Sequence, residues 1–388
     1  MVQTLRFDLS RWHIACRLTL LVVTISAWAA DPAVAQPAGA PFAYLLPAVS
    51  VAFPNETDSN SPAVWEIVDG QWKLSLFNSV AGAAHLSRGP HVQRLRDEGH
   101  VRWAGAAPHG GVWIESVIRD ADSWYAFYHN EREGIVCAGS GKVWPRIGAA
   151  RSDDRGVTWT DLGPLIETPA DTVTCDTRNH YFVGGVGDFS VVLDADRAYA
   201  YIHYTQYVEA DGHVGVAVAR MAWADRDQPT GRVDIWNDGA WLPPTATREP
   251  ATNDANDAGD GAGQPATFEQ PLATPVFGAE NRWDDARAGV DVLWGPSIHW
   301  NTALESYVML LNRATSDTWE QGGVLVSFNA RLDDPAGWSP PALLWRGGSW
   351  YPQVIGLDPT VGTDAYAGAV ARFFMSGTSA HVIVFGRR

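Results

Sequence analysis

Short runs of alternating apolar and polar residues, rich in Val, Ile, Tyr, Phe and Trp, recur along this chain between turns of Gly, Asp, Asn and Pro. No run keeps a helical period, so the pattern predicts an all-β protein. The fullest set lies between Gly110 and Gly163. It predicts strands at Trp113–Arg119, Trp124–Tyr128, Arg146–Arg151 and Thr158–Leu162, with a turn at Asp120–Ser123. Between the third and fourth of these, Ser152, Asp154, Gly156, Thr158 and Trp159 stand in the order S-x-D-x-G-x-T-W. Ser and Asp side chains in such a turn bond its own backbone N–H groups, and Gly supplies a positive φ. The Trp packs down between sheets, so the motif serves architecture and carries no chemistry.

Similar sets recur on either side. Pro62–Val68, Trp72–Asn78 and Ala83–Ser87 make a first unit, joined by an Asp-Gly turn. A third unit begins at Gly184 and includes Tyr199–Tyr207 and Val214–Trp223. A fourth spans Trp294–Asn301, Ser306–Asn312 and Gly323–Phe328, and a fifth Trp350–Asp358, Gly368–Met375 and Ala380–Phe385. The first strands of the later units share one phrase, a polar residue, two or three apolar ones, then Asp or Asn. Five units of four strands predict a five-bladed β-propeller, and a sixth would have to hide in the insertion described next. The apolar segment Phe42–Val51 is expected to close the ring beside the last blade. Residues 248–280 turn to Asp, Asn, Gly, Pro, Ala and Thr, an acidic insertion expected to be a mobile loop.

Composition changes this picture at the N-terminus. Arg6, Arg11 and Arg17 precede or enter a short apolar run, Leu18–Ala30, followed by Ala33-Val34-Ala35. Residues 1–35 therefore read as a secretory signal peptide, and residues 36–388 as one propeller domain, secreted or periplasmic. Without the leader, 25 basic residues face 42 acidic ones, a net charge of −17. That excludes nucleic acid and anionic membranes as expected partners and leaves a carbohydrate ligand and a monomer. Of three cysteines, Cys16 leaves with the leader; Cys137 and Cys175 are expected to form a disulfide. The 19 Trp residues point to sheet cores, sugar-stacking surfaces, or both.

The turn at Ser152–Trp159 resembles the Asp box found on blades of sialidases and related propellers. The repeated first-strand phrase, together with Ser327-Phe-Asn-Ala-Arg-Leu-Asp-Asp-Pro-Ala-Gly-Trp338, is similar to the five-bladed glycoside hydrolases of the arabinanase, β-xylosidase and invertase kind. The resemblance covers about Ser61 to Phe385 and implies a central pocket in which inner strands of successive blades deliver carboxylates. Asp188 occupies an Asp-Pro-like position in that scheme. Trp294 stands where a Glu-Gly-Pro carboxylate would be, Glu115 comes one residue late, and Asn60-Ser61-Pro62 offers no acid in the first blade.

Glycoside hydrolysis needs two carboxyls on one sugar, about 5 Å apart for retention or about 6.5–9.5 Å for inversion. Glu115 and Asp188 are first-strand residues of adjacent units, with Glu115 expected as general acid and Asp188 as general base; Glu131 is the spare carboxylate. Trp113, His129, Trp294, His299, Asn312, Trp350 and Tyr351 are candidate sugar contacts. The sialidase likeness implies a cluster of Arg146, Arg313 and Arg372 around a carboxylated sugar. Three readings stay open: a glycosidase, a non-catalytic glycan-binding propeller, and a sialidase-type exo-glycosidase. No cofactor is required; Asp254, Asn256, Asp257 and Asp260 loosely resemble a calcium loop but lack its closing Glu, so a structural calcium is not indicated. The chain has no G-x-S-x-G, H-E-x-x-H or phosphate loop, and Gly184-Gly-Val-Gly precedes a strand instead of a helix.

Overall fold

The computed structural model describes residues 39–133, 137–210, 212–247, 267–285 and 289–388. The leader and the segment with calcium-loop character lie outside the described residues. Among the described residues there are strands and four short 3-10 turns, and no helix long and apolar enough to cross a membrane.

The strands form a five-bladed β-propeller. The first blade is Ala63–Val68, Gln71–Val80, Ala83–Gly89 and Arg96–His100, hydrogen-bonded in that order. The second is Gly111–Asp120, Ser123–Glu133, Val143–Ser152 and Thr158–Ile166. The third is Val186–Leu193, Tyr199–Gln206, Gly215–Ala222 and Val233–Asn237, extended by Ala240–Leu242. The fourth is Val292–Asn301, Ser306–Ala314, Gln321–Asn329 and Ala342–Arg346. The fifth takes Gln353–Gly356, Val370–Met375 and Thr378–Arg387 from the C-terminus and Pro41–Ala52 from the start of the described chain. Phe42 pairs with Gly386 in this closure, where the apolar pattern predicts it.

Local chemistry explains why the blades fold back so tightly. Two-residue turns at Asp69-Gly70, Asp238-Gly239 and Ser376-Gly377 place both residues at positive φ, the geometry that matches strand twist. At Ser152–Trp159, the Gly156 N–H donates to Ser152 Oγ at 2.8 Å and the Thr158 N–H to Asp154 Oδ1 at 2.7 Å. Trp159 is fully buried, edge-on to Phe77 of the first blade with ring centres 5.8 Å apart. The inter-blade layers are built this way, by large side chains from facing sheets. Cys137 and Cys175 form a disulfide with Cα atoms 5.5 Å apart.

One expectation needs correction. Residues 267–280, assigned with the rest of the insertion to a mobile loop, are pinned to the propeller. Thr267–Glu269 pairs with Thr245–Thr247, Ala273 donates to Gln206 Oε1 at 3.1 Å, and Phe277–Gly278 joins the edge of Gly215–Ala222. Composition reports low apolarity here, but a few buried backbone bonds and Ala273, fully enclosed, suffice to hold it.

Candidate active site

Inner strands of all five blades meet at the axis, and polar side chains stitch them there. Asn60 donates to the Phe189 and Pro296 carbonyls at 2.8 and 3.1 Å, joining the entrance to the first blade with the third and fourth. Gln353 of the fifth blade exchanges two bonds with Ser61, at 2.7 and 2.9 Å.

A repeated device shapes the upper end of the inner strands. In four blades the second strand carries a buried polar side chain that accepts an N–H in, or leading into, the next blade's inner strand. Ser79 accepts from Ile114, His129 from Asp188, Thr205 from Gly295 and Asn312 from Tyr351, at 3.0, 3.1, 2.9 and 3.2 Å. Three of the four recipients have positive φ: Asp188 at 40°, Gly295 at 56° and Tyr351 at 54°. Register breaks at Gly187/Phe189 and Trp294/Ser297 accompany them, so each strand kinks as it reaches the axis. A matching break at Ile114/Ser116 turns Glu115 out of the ladder. Holding Asp188 and Tyr351 in the left-handed region costs about 1–3 kcal/mol each and re-aims their side chains at one point.

That point is a buried cluster. Glu115, His129 and Asp188 each present an atom within 4.8 Å of the others. Asp188 accepts hydrogen bonds from the hydroxyls of Tyr207 and, at 3.2 Å, Tyr351. Glu115 Oε2 accepts the Phe189 N–H at 3.0 Å, while Oε1 has no hydrogen-bond partner. Burial, then Asp188, drive the Glu115 carboxyl well above its usual range, toward the neutral acid. Burial also raises Asp188, against the two tyrosine donors that favour its charge.

His129 bridges this floor to the mouth. Its Nδ1 accepts the Asp188 N–H, which puts the ring proton on Nε2, 3.3 Å from Glu131 Oε1 without hydrogen-bond alignment. Burial opposes charge on the ring, but Glu131, Asp188 and Glu115 outweigh it and push the pKa up to about 9. A second proton would have to displace the Asp188 N–H, so a charged ring and the His129–Asp188 bond exclude each other. Above it Glu131 is half-buried, and Asp58 stands open to solvent. The Asp58 carboxyl is pushed up to about 7 by desolvation between the surrounding walls and by Asp188 and Glu131 nearby.

A cation would find few free donors in the floor. Asp188 is occupied by two hydroxyls, His129 Nδ1 by a backbone N–H, and Glu115 keeps one oxygen.

Among solved structures, the chain is similar to an endo-arabinase from Bacteroides thetaiotaomicron, 10% identical over 87% of this chain and 97% of that one, with a TM-score of 0.47. It is similar also to an exo-1,5-alpha-L-arabinanase from a bovine ruminal metagenomic library (11% identical, 86% and 95% covered, TM-score 0.46). A putative exo-beta-1,3-galactanase from Bifidobacterium bifidum is a third (14%, 86% and 91%, TM-score 0.42). No family model and no curated protein matches the chain.

The structure thus brings together Glu115, His129, Glu131, Asp188 and Tyr351 from the sequence-based set. Trp113 lies edge-on to His129 with ring centres 5.6 Å apart, and Trp350 is half-buried at the mouth. Others are placed elsewhere. Trp294 is 1% exposed inside an aromatic cluster with Trp319, Trp350 and Tyr351, so it props the site and offers no face to a sugar. Asn312 is fully buried and positions Tyr351. His299 packs in the core against Phe385, where burial lowers its pKa to about 3. The three arginines do not converge: Arg146 bonds Asn130 and lies 3.3 Å from Glu167, Arg313 is paired with Asp291, and Arg372 reaches the Val49 carbonyl. Each satisfies a local acid or carbonyl instead of facing a common ligand. The sequence reading missed Asp58, which is the first blade's acid, two positions before Asn60, and missed Tyr207. Three residues separate Asp58 from Pro62, too many for an Asp-Pro phrase to show it.

Proposed function

We propose that the protein is an exported glycoside hydrolase acting at the mouth of the propeller axis. The observation that carries this is convergence of carboxyls from three blades: Asp58 leading into the first, Glu115 and Glu131 on the second, and Asp188 on the third. The sequence resemblance to five-bladed glycosidases supports it, and the Cys137–Cys175 disulfide supports an oxidising compartment.

Exposure divides the roles. Glu115 and Asp188 are 2% and 4% exposed, and their oxygens are turned to Phe189, Tyr207 and Tyr351. Asp58 and Glu131 are the carboxyls open to a ligand. With a pKa of about 7, Asp58 retains protons at neutral pH and serves as general acid to the glycosidic oxygen. Glu131, facing the His129 Nε2–H, takes a proton from the water that attacks the anomeric carbon. The C–O bond breaks, the alcohol leaves with the Asp58 proton, and solvent restores both groups. Asp188 and Glu115 set the field beneath them. The roles of acid and base thus move outward from the inner-strand pair Glu115 and Asp188.

A panel of aryl glycosides of neutral pentoses and hexoses tests this with wild type, Asp58→Asn, Glu131→Gln and Asp188→Asn. Turnover by wild type and losses of about 100-fold or more in the first two variants are expected. No turnover on any sugar, with glycan binding retained, would establish a binding module instead.

A further inference from the structure

Beside the mouth, one aromatic side chain stays in solvent although everything around it is fixed. Tyr181 is 38% exposed, on the stretch that leads from Cys175 to the inner strand of the third blade. Its backbone is held closely. The buried Asn179 Oδ1 accepts the N–H groups of Tyr181 and Phe182 at 3.0 and 3.1 Å and the Trp319 indole N–H at 3.2 Å. The Tyr181 carbonyl accepts the Val143 N–H at 2.9 Å, and the disulfide ties the start of the stretch to residue 137. Phe182 stacks on Tyr207, the residue that donates to Asp188, with ring centres 4.3 Å apart.

The ring of Tyr181 stands perpendicular to Trp350, at 90° and 6.1 Å between centres. Trp350 is itself locked, donating its indole N–H to the Trp319 carbonyl at 3.1 Å. The two rings form a rigid corner. The hydroxyl of Tyr181 lies in the field of Asp58, which adds to burial in raising its pKa. Trp350 and Tyr181 are each followed in the chain by a ring that supports Asp188, Tyr351 directly and Phe182 through Tyr207, so the corner borders the carboxyl cluster.

Charge restricts what can enter. The ionisable groups acting on Asp58 are Asp188, Glu131 and His129, and those on Glu115 are Asp188, His129 and Asp58. The nearby guanidiniums are committed: Arg132 and Arg146 to Glu167, Arg178 to Asp317. Among the described residues, these pairings leave the mouth with an excess of carboxyls, which disfavours an anionic ligand.

We propose that Tyr181 and the half-buried Trp350 form a stacking subsite for the sugar ring next to the one held at Asp58 and Glu131, and that its ligand is an uncharged glycan chain. A flat apolar ring presented rigidly to solvent receives the C–H face of a sugar with little loss of side-chain freedom. The position beside the cleaved bond rests on the glycosidase reading; the stacking itself does not.

The test titrates hexasaccharides of xylose, arabinose and β-1,3-galactose, and an oligogalacturonate of equal length, against the full chain carrying Asp58→Asn, followed by tryptophan fluorescence. Tyr181→Ala and Tyr181→Leu in that background are expected to weaken neutral-chain binding about tenfold. Tyr181→Phe keeps it, and the thermal midpoint of each variant shows that the fold is retained. Unchanged binding in both Tyr181→Ala and Tyr181→Leu, equal affinity for the galacturonate, or no binding of any neutral chain would overturn the proposal. Turnover of single-sugar aryl glycosides is read in protein with Tyr181 intact, so it reports on the hydrolase reading whether or not the aryl group occupies the subsite. Turnover there with binding indifferent to Tyr181 sinks the subsite only. No turnover, with binding lost in Tyr181→Ala, sinks the hydrolase only.

Discussion

Gly187 lies so close to His129 that a Cβ on it would sit 2.3 Å from the ring Nδ1, the atom that accepts the Asp188 N–H. The imidazole rests on the bare backbone just before the kink that aims Asp188 at the axis. A glycine is required here for close approach, independently of its φ.

Gly187→Ala should therefore push the ring off its bond. Overpacking of this kind costs about 1–3 kcal/mol, and loss of the His129–Asp188 bond should lower turnover of aryl glycosides as well. Urea unfolding and steady-state kinetics on the same preparation check both parts; an unaltered midpoint and rate would contradict the contact.

Asp188→Asn should separate stability from function. Burial raises the Asp188 pKa, so its charge opposes folding, and asparagine tolerates the 40° φ while keeping the shape. A thermal midpoint equal to or above wild type, with hydrolysis reduced about tenfold as the field that raises Asp58 is lost, is the expected pair of results.

The alkaline limb of kcat/KM should track Asp58. The general acid must be protonated, so the rate falls as pH rises through about 7. Asp58→Asn should remove that limb along with most of the rate; a limb that persists at the same pH in the residual activity would assign it to another group.

Acid stability should be governed in part by two buried histidines. His203, packed against Trp338, has no hydrogen-bond partner on either nitrogen, and burial lowers its pKa to about 3; His299 behaves alike. Both have depressed folded pKa values, so the unfolded chain takes up protons below 6.5 that the folded chain refuses. Stability is then full above 6.5 and falls as pH drops toward 3, by about 1.4 kcal/mol per pH unit per histidine. His203→Leu should flatten that slope by one histidine's share in urea titrations run across this range.

Replacing Cys137 and Cys175 together by Ser should cost up to about 4 kcal/mol, from the loop of 38 residues they close. The loss should appear first in the stretch that carries Phe182, as faster hydrogen exchange there than in the blades.

How much of this was legible in the sequence depends on the range of the interaction. The second blade, its turn at Ser152–Trp159, the Asp69-Gly70 hairpin and ring closure by the segment after residue 41 were legible because alternation, turn chemistry and strand length are local properties. Glu115 and Asp188 could be named as neighbours because equivalent strands of consecutive blades meet at the axis. Which carboxyls reach solvent was not legible. That was decided by kinks at Asp188 and Tyr351, each held by a side chain from the preceding blade, and by Asp58, on the connection between Pro41–Ala52 and Ala63–Val68. The three arginines illustrate the same limit: guanidiniums take the acid that packing puts nearest, as Arg313 does with Asp291. Local pattern thus determined the blades and their count. Only the closed ring, where backbone N–H groups of one blade must find acceptors on another, determined which side chains face the mouth and which support it from beneath.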